Sequence, residues 1–255
     1  MIKFFRKIRQ KLLEENRFRK YLLYAIGEII LVMIGILLAL QVSNWKESRR
    51  LKIQEKNYYC QLFDDLNADV SNINETINQL NKRQEATERV LINVFKFPEI
   101  KDSILADYIR AVRSKSFIPT KASIDDITSS GKLENITNQE LKKAILNYYV
   151  QQNAALYILN ENNQQLLQKI FDYNSYTEFG AHEIPIYKKL YNNELQNILK
   201  STEWQKDPNS YLFKHFVDHM NMNMIITERE KSLLEEVKTL ASNLSNLISP
   251  NCNSL

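Results

Sequence analysis

Residues 21–45 read YLLYAIGEIILVMIGILLALQVSNW, an apolar run interrupted by one acidic side chain, Glu28. As a helix at about 1.5 Å per residue, this stretch is roughly 37 Å long, against about 30 Å of bilayer hydrocarbon. Residues 29–40 carry no polar side chain on any face, which disfavours the core helix of a soluble domain. The run is also longer than the apolar part of a signal peptide and lacks a small-residue cleavage site. It therefore predicts a transmembrane helix over residues 21–45.

The charged residues on either side of this stretch predict its orientation. Eight basic residues precede it, whereas five follow it up to Lys56. The positive-inside rule places the more basic flank in the cytoplasm. We therefore expect a single-pass membrane protein with a cytoplasmic N-terminus and residues 46–255 outside the cytoplasm. In a bacterium this means an inner-membrane anchor with a C-terminal domain in the periplasm or at the cell exterior.

The remaining chain divides around this helix. Residues 1–20 mix apolar and basic side chains, as in an amphipathic cytoplasmic helix that lies on anionic headgroups, so membrane lipids are an expected partner. The alternative is a basic flank that only orients the span. The predicted plan is a basic amphipathic segment over residues 1–20, the transmembrane helix over 21–45, and a helical-bundle domain over 46–255.

The composition favours long helices and argues against nucleic acid as a partner. The 255 residues include only four glycines and five prolines, which is few for a chain with many turns. Residues 1–56 hold thirteen Lys or Arg and five Glu, a charge of +8. Because the whole chain carries +4, residues 57–255 must carry −4. A domain with this balance does not have the basic character of a nucleic-acid-binding domain.

A long helix is predicted directly after residue 45, because neither glycine nor proline occurs up to residue 97 and apolar residues recur in two heptad rows. The first row is Tyr59, Leu66, Ile73, Leu80, Thr87 and Val94. The second row is Phe63, Val70, Ile77, Gln84 and Leu91. Alternating steps of four and three residues place both rows on one stripe, and nothing separates this helix from the transmembrane one.

A second long helix is predicted to begin at a capping box. Thr137 is the expected N-cap, with Glu140 three residues later, and the helix runs to about Tyr176. Its inward stripe consists of Leu141, Ile145, Tyr148, Gln152, Ala155, Leu159, Leu166 and Ile170.

Two more helices are predicted after prolines, one from Pro185 to about Lys200 and a long one from Pro208 to about Ile248. The inward stripe of the last is Leu233, Val237, Leu240, Leu244 and Leu247. The predicted fold class is all-α: a single N-terminal transmembrane helix that continues into an antiparallel helical-bundle extracytoplasmic domain.

Two blocks of the sequence resemble a known family. One is residues 1–45, MIKFFRKIRQKLLEENRFRKYLLYAIGEIILVMIGILLALQVSNW, and the other is residues 127–149, ITSSGKLENITNQELKKAILNYY. Together they resemble a family of uncharacterised bacterial single-span membrane proteins, known only as a domain of unknown function. The resemblance implies an envelope protein with an N-terminal anchor and a mostly helical extracytoplasmic domain. It implies no activity, substrate or catalytic residue.

The sequence carries no recognisable catalytic motif. A nucleophile elbow, a phosphate-binding loop and a dinucleotide fingerprint are all missing from it. His215 and His219 are four residues apart, the spacing of two metal ligands on one helix face, but Phe216 stands where zinc proteases have glutamate. We therefore expect ordinary packed or surface histidines, no metal, no cofactor and no enzymatic activity.

Asp64, Asp65 and Asp69 form a small acidic cluster on the long helix. Paired carboxylates can serve acid–base chemistry or calcium binding, but charged side chains at this spacing are more often a solvated helix face, which is what we expect here.

Cys60 and Cys252 are the only cysteines. In an oxidising compartment they can pair with each other, or Cys60 can link two protomers. Both can also stay reduced, and the sequence leaves these alternatives open.

Glu28 is the residue of the apolar run that most needs an explanation, because a charge at mid-bilayer costs about 2.5–3.5 kcal/mol. Tyr24, Glu28, Gly35 and Ala39 fall within about 60° of one another on a helix, and we call them the packing face. Small residues allow close helix approach and a polar residue can hydrogen-bond across the contact. The packing face therefore predicts contact with another transmembrane helix, from a second copy or a partner. The alternative is a protonated or snorkelling Glu28 bonded to Tyr24.

Two functions fit these features. The first is a membrane-anchored structural or interaction module of the envelope, without known biochemical activity. The second is a periplasmic sensor-like bundle, which would have to signal through a membrane partner because only about 20 residues are cytoplasmic.

Overall fold

The computed structural model describes residues 18–113, 115–171 and 176–253. Most of the predicted segment 1–20, namely residues 1–17, lies outside the described residues. The eight α-helices in the described ranges are α1 Phe18–Lys96, α2 Lys101–Val112, α3 Ala122–Ser129, α4 Gln139–Phe171, α5 Tyr176–Phe179, α6 Pro185–Lys188, α7 Asn193–Ile198 and α8 Tyr211–Asn253. Three short 3-10 turns complete them: Lys132–Asn135, Ala181–Glu183 and Trp204–Lys206. Every regular element described is helical, which confirms the all-α class.

Helix α1 is a single helix of 79 residues, as the lack of glycine and proline after residue 45 predicts. The chain divides into two compact units, Met1–Lys56 and Asn57–Leu255, and α1 supplies residues to both. In the second unit the first predicted heptad row is buried throughout, from Tyr59 to Val94. The second predicted row, from Phe63 to Leu91, is only half-buried.

The buried face of α1 extends to the other side of the first row. A further row of buried residues consists of Leu62, Asp69, Thr76, Arg83 and Val90. Three of its five members are polar, so hydrophobic periodicity could not reveal it. The core-facing side of α1 therefore includes this row in place of the second predicted row. Asp69 and Arg83 of this row bind side chains on α4 and α8.

The long helices α1, α4 and α8 form a bundle in which α8 runs antiparallel to the other two, and cross-helix hydrogen bonds show these directions. Ser245 Oγ of α8 donates to Asn67 Oδ1 of α1 over 3.2 Å. Further along α1, Thr87 accepts from Asn223 of α8 over 2.8 Å. Rising numbers on α1 thus meet falling numbers on α8, and the two helices run in opposite directions.

Helix α4 runs in the same direction as α1. Gln152 Nε2 of α4 donates to Asp69 of α1 over 2.8 Å, whereas Asn162 of α4 lies 3.5 Å from Arg229 of α8. Arg229 is adjacent to Glu230, which pairs with Arg83 of α1. The connection through α2 and α3 returns the chain to the start of the bundle, so α4 parallels α1 and opposes α8.

Two apolar cores lie inside the second unit. The first contains α1 residues up to Leu80 and α8 residues from Leu234 onward. The second contains α1 residues from Ala86 and α8 residues up to Met220. Each fully buried Leu, Ile or Phe side chain contributes about 1.5–3 kcal/mol to folding, so both cores stabilise the bundle. Apart from Ile226, the buried residues between them on α1 and α8 are polar and belong to the layer described below.

The start of α4 differs by one residue from the prediction. The helix begins at Gln139, and Asn138 rather than Thr137 is the N-cap, because Asn138 Oδ1 accepts from Leu141 N over 3.1 Å. Asparagine caps at least as well as threonine, so the later residue takes the role. The inward stripe of α4 is buried from Leu141 to Leu166, as predicted. The helix is described to Phe171, and its predicted end near Tyr176 falls at residues 172–175, which lie outside the described residues.

The helix predicted after Pro185 is interrupted. It forms two short pieces, α6 and α7, because Asn192 leaves the helical conformation and accepts from Leu195 N over 2.9 Å, which caps α7. Helix α8 starts after Pro208 as predicted and extends to Asn253. Its buried residues include Leu234, Val237, Ala241, Leu244 and Ile248. Leu247 is predicted to face inward but is 57% exposed. Its neighbour Ile248 is buried in its place, so at this end of α8 the core-facing row lies one residue further along the chain.

Candidate functional site

The apolar part of α1 is the first candidate site. Of the described residues, it belongs to the one helix that is long and apolar enough to cross a membrane. Its large apolar side chains from Leu22 to Trp45 are 45–71% exposed. A membrane anchor and a signal sequence share this composition, whereas the core helix of a soluble protein is mostly buried.

The four residues of the packing face, Tyr24, Glu28, Gly35 and Ala39, all lie in this part of α1. Tyr24 and Glu28 are half-buried, and Gly35 and Ala39 are exposed. A Cβ atom placed on Gly35 would meet no heavy atom within 4 Å, so this position is open to a neighbouring helix. The contact with such a helix stays a prediction.

Cys60 of α1 and Cys252 of α8 form a disulfide, with their Cα atoms 4.9 Å apart. Of the alternatives that the sequence leaves open, the structure thus has pairing within one chain. The bond joins positions 192 residues apart, at the beginning and the end of the bundle. A native disulfide of this kind contributes about 2–4 kcal/mol to stability, mainly by restricting the unfolded chain.

The acidic cluster on α1 is not the solvated face that its spacing predicts. Asp64 is exposed, but Asp69 is fully buried and accepts three hydrogen bonds. Thr120 N donates to Asp69 Oδ1 over 2.7 Å, while Tyr148 Oη and Gln152 Nε2 donate to Oδ2 over 3.0 and 2.8 Å. Burial raises the pKa of Asp69, and these donors oppose that rise.

Asp65 completes this arrangement. Its Oδ2 accepts from Ser123 N over 3.0 Å, so a carboxylate of α1 caps the first turn of α3. Asp65 and Asp69 together hold the α2–α3 connection against α1. Their partners lie about 50 to 80 residues away in sequence, which is why spacing along one helix could not reveal the role.

A polar layer separates the two apolar cores and consists of Arg83, Thr87, Asn223, Thr227 and Glu230, all at most 2% exposed. Arg83 Nη2 donates to Glu230 Oε2, and Arg83 Nε donates to Thr227 Oγ1 over 2.8 Å. Asn223 Nδ2 donates to Thr87 Oγ1 over 2.8 Å and to the carbonyl of Ala111 over 3.0 Å. The layer therefore joins α1, α2 and α8 through one network.

The ion pair in the polar layer is incompletely satisfied. Among the described residues, Arg83 Nη1 and Glu230 Oε1 are buried and have no hydrogen-bond partner. Burial raises the pKa of the Glu230 carboxyl, although the charge of Arg83 opposes the rise. A buried ion pair of this kind adds little net stability compared with apolar residues, but removal of one partner is strongly destabilising.

The two candidate histidines occupy different environments. The ring of His215 stacks on Tyr211 with the centroids 5.6 Å apart. His219 is 2% exposed and lies edge-on to Tyr108. Burial, with smaller effects from His215 and Lys169, lowers the pKa of His219 to about 4, so this ring is neutral at pH 7. Within the described residues, no group of three His, Cys, Asp or Glu side chains is placed to hold a metal ion.

A second polar cluster contains Lys101, Glu183 and Ser201 beside a cleft of about 470 Å³. Lys101 Nζ lies 2.9 Å from Glu183 Oε2 and donates to Ser201 Oγ over 2.5 Å. Ser201 Oγ in turn donates to Glu183 Oε1 over 2.5 Å. Ser201 Oγ is thus hydrogen-bonded to both Lys101 Nζ and the Glu183 carboxylate. The cluster serves to hold the segment before α8 against α2.

Gly180 makes this close packing possible. Its φ of 89° lies in the left-handed region, and a Cβ atom there would come within 3.0 Å of Glu183 Oε2 and 3.3 Å of Lys101 Nζ. Sequence reasoning missed the cluster because its members come from segments about 100 residues apart.

Comparison with known proteins identifies one family. Residues 28–179 match the family described as "Family of unknown function (DUF6090)". The match contains all of block 127–149 and the part of the N-terminal block from residue 28, which confirms the resemblance to an uncharacterised family. The comparisons with curated proteins and with solved structures returned no match.

Proposed function

The chain belongs to DUF6090, a family of unknown function, and we propose that it is a membrane-anchored interaction module of the bacterial envelope. In this proposal residues 21–45 span the inner membrane, the N-terminus is cytoplasmic, and the helical bundle docks an envelope partner from the periplasm. The bundle needs no cofactor and catalyses no reaction.

The observation that carries the proposal is the exposed apolar part of α1. The unit Asn57–Leu255 has its own two cores, so it does not need the apolar residues of the first unit for folding. An exposed apolar surface of this size is unstable in water and needs a bilayer or another protein.

Two further observations support the orientation. The flank before residue 21 has eight basic residues against five up to Lys56, which favours a cytoplasmic N-terminus. The Cys60–Cys252 disulfide lies in the bundle, and such bonds persist in oxidising compartments such as the periplasm.

The packing face supports a partner inside the membrane, either a second copy or another membrane protein. Membrane lipids contact the rest of the span and the basic segment before it. Nucleic acid is not a proposed partner, because residues 57–255 carry a net negative charge.

The proposal is tested by purifying the tagged full chain from native membranes in mild detergent. We expect a second copy or a membrane protein to copurify, and Glu28→Leu/Gly35→Ile to lose it because both substitutions alter the packing face. The matched control is Ile26→Leu/Leu37→Ile on the opposite side of the helix, which should retain it. A monomer with nothing bound, or equal behaviour of both variants, would contradict the proposal.

A sensor-like bundle is the second candidate function, and the polar layer is the observation that favours it. A layer with unsatisfied buried atoms between two cores is a place where helices can change their pairing at modest cost. Arg83→Met/Glu230→Leu makes the layer apolar. A docking module should keep its partner in this variant, because docking needs only the folded bundle. If the bundle is a sensor, partner binding by this variant should no longer change when the signal is present.

A further inference from the structure

A cleft of about 450 Å³ between α1 and the end of α2 is lined mainly by cations. We call it the basic cleft, and its basic residues are Lys82, Arg83, Arg89, Arg110, Arg113 and Lys115. Glu85 is the acidic residue on its wall. Because residues 57–255 as a whole carry −4, this concentration of positive charge is local and not a consequence of composition.

One buried carboxylate orients two of the guanidinium groups. Asp107 lies on α2 and is nearly buried. Its Oδ2 accepts from Arg89 Nε over 3.3 Å, and its Oδ1 accepts from Arg110 Nη1 over 2.9 Å. The side chains of Arg89 and Arg110 are 49% and 67% exposed, so solvent and ligands can still reach them. Asp107 thus fixes two cations with one negative charge and leaves an excess of positive charge.

Arg83 connects the basic cleft with the polar layer. It lines the cleft but is only 2% exposed, and its Nε and Nη2 atoms are held by Thr227 and Glu230. Its third nitrogen, Nη1, has no hydrogen-bond partner in the described part of the chain. A buried donor without an acceptor is unfavourable, because it has lost its hydrogen bonds to water and gained none in return. An acceptor brought to this side of the guanidinium would relieve that cost.

Two cations of the cleft have no acidic partner among the described residues. Lys82 and Arg113 are both exposed, and neither takes part in an ion pair there. Lys115, by contrast, pairs with Glu75. Lys82 and Arg113 are therefore available to a ligand, while Arg89 and Arg110 are already oriented beside them.

We propose that the basic cleft binds a small anion that carries phosphate groups. Arginine forks match phosphate oxygens in geometry as well as in charge, and a lysine adds a point charge. A volume of about 450 Å³ is that of a small-molecule site, too small for a macromolecular surface. Lys82 and Arg113 contact the phosphate oxygens, Arg89 and Arg110 flank them, and Arg83 lies at the buried side. The inference does not rest on the proposed docking function.

The test is a calorimetric titration of pyrophosphate into the full chain, reconstituted in nanodiscs of zwitterionic lipid. We expect saturable binding that weakens as the salt concentration rises, because exposed charges are screened. Lys82→Ala/Arg113→Ala should weaken the affinity at least tenfold. Both side chains are exposed and unpaired, so this variant should keep the wild-type circular dichroism and unfolding midpoint.

The matched control is Lys200→Ala/Lys214→Ala, which removes two exposed lysines outside the cleft. Its affinity should stay within twofold of the wild type, and Lys82→Arg/Arg113→Lys should restore most of the binding. Absence of saturable binding to the wild type overturns the proposal. Equal weakening in the cleft variant and in the control also overturns it, because the effect would then be one of net charge.

The source of the phosphate is distinguished by repeating the titration in nanodiscs that contain phosphatidylglycerol. If the natural ligand is a lipid headgroup, the anionic lipid should compete and raise the dissociation constant for pyrophosphate in the wild type. If the ligand is a soluble phosphate compound, the dissociation constant should be the same in both kinds of disc. Either result supports a phosphate site and assigns its source.

Discussion

The bundle differs from a regular coiled coil in having single polar residues at buried positions. On α1, Asp69 and Arg83 occupy positions that would otherwise hold apolar side chains, and each binds a residue from another helix. Asp69 fixes the α2–α3 connection, whereas Arg83 lies in the polar layer between the cores. Buried polar groups of this kind contribute specificity of pairing more than net stability.

The Arg83–Glu230 pair gives a prediction at the residue scale. Arg83→Met leaves the carboxylate of Glu230 buried without its counter-charge, so the free energy of unfolding should fall by about 3–5 kcal/mol. Arg83→Met/Glu230→Leu removes both charges and should recover most of this loss. The measurement is chemical unfolding of the full chain in mild detergent, followed by near-UV circular dichroism. A double variant as unstable as the single one would contradict the role given to the pair.

His219 gives a prediction about pH. Its folded pKa of about 4 lies below the usual 6.5, so its contribution to stability is complete above pH 6.5 and is lost as the pH falls towards 4. Between pH 7 and pH 4.5 the wild type should lose about 2–3 kcal/mol more than His219→Gln, which cannot titrate there. Unfolding free energies of both proteins at the two pH values provide the check. Equal losses would show that His219 is not held neutral by burial.

At the scale of elements, asparagine side chains cap two helices, and tertiary packing determines which faces are buried. The helix predicted after Pro185 breaks at Asn192, and α4 begins one residue late because Asn138 is the cap. In helix α8 the apolar residues recur at the predicted spacing, but the buried row is Leu234, Val237, Ala241, Leu244 and Ile248, which shares only Val237 and Leu244 with the predicted stripe. Leu244 is 4% exposed and Leu247 is 57% exposed, although both belong to the predicted stripe.

These two leucines test the register of α8. Leu244→Ala should lower the free energy of unfolding by about 2–5 kcal/mol, because it leaves a cavity in the first core. Leu247→Ala should change it by less than about 0.5 kcal/mol, since the side chain is exposed. The two variants delete the same atoms from one helix and are each other's control in a urea unfolding series. Similar losses would indicate that the predicted stripe, with Leu247 inward, is correct.

The long helices and the all-α class could be predicted from the sequence, because apolar side chains at heptad spacing and the lack of glycine and proline leave few alternatives. The row containing Asp69, Thr76 and Arg83 could not be predicted, because its burial depends on partners far along the chain. The same holds for the Lys101–Ser201 cluster. Polar side chains look solvated in a single sequence until the fold supplies their partners.

At the scale of the whole molecule, an exposed apolar helix segment and a disulfide-closed bundle are present in one chain. The disulfide joins α1 to the last turns of α8, so the first and last parts of the bundle cannot separate without reduction. The basic cleft and the polar layer lie further along α1 from this bond, around residues 79–89. The proposed anchor therefore belongs to a chain whose other unit contains both a disulfide-linked bundle and the basic cleft.

In the proposed topology, residues 21–45 span the membrane and the bundle lies outside the cytoplasm. The most direct measurement is protease digestion of bacterial spheroplasts that contain the full chain with a different epitope at each end. We expect the C-terminal epitope to be digested in intact spheroplasts, while the N-terminal epitope is lost only after lysis. A C-terminal epitope that stays protected until the membrane is opened would contradict it.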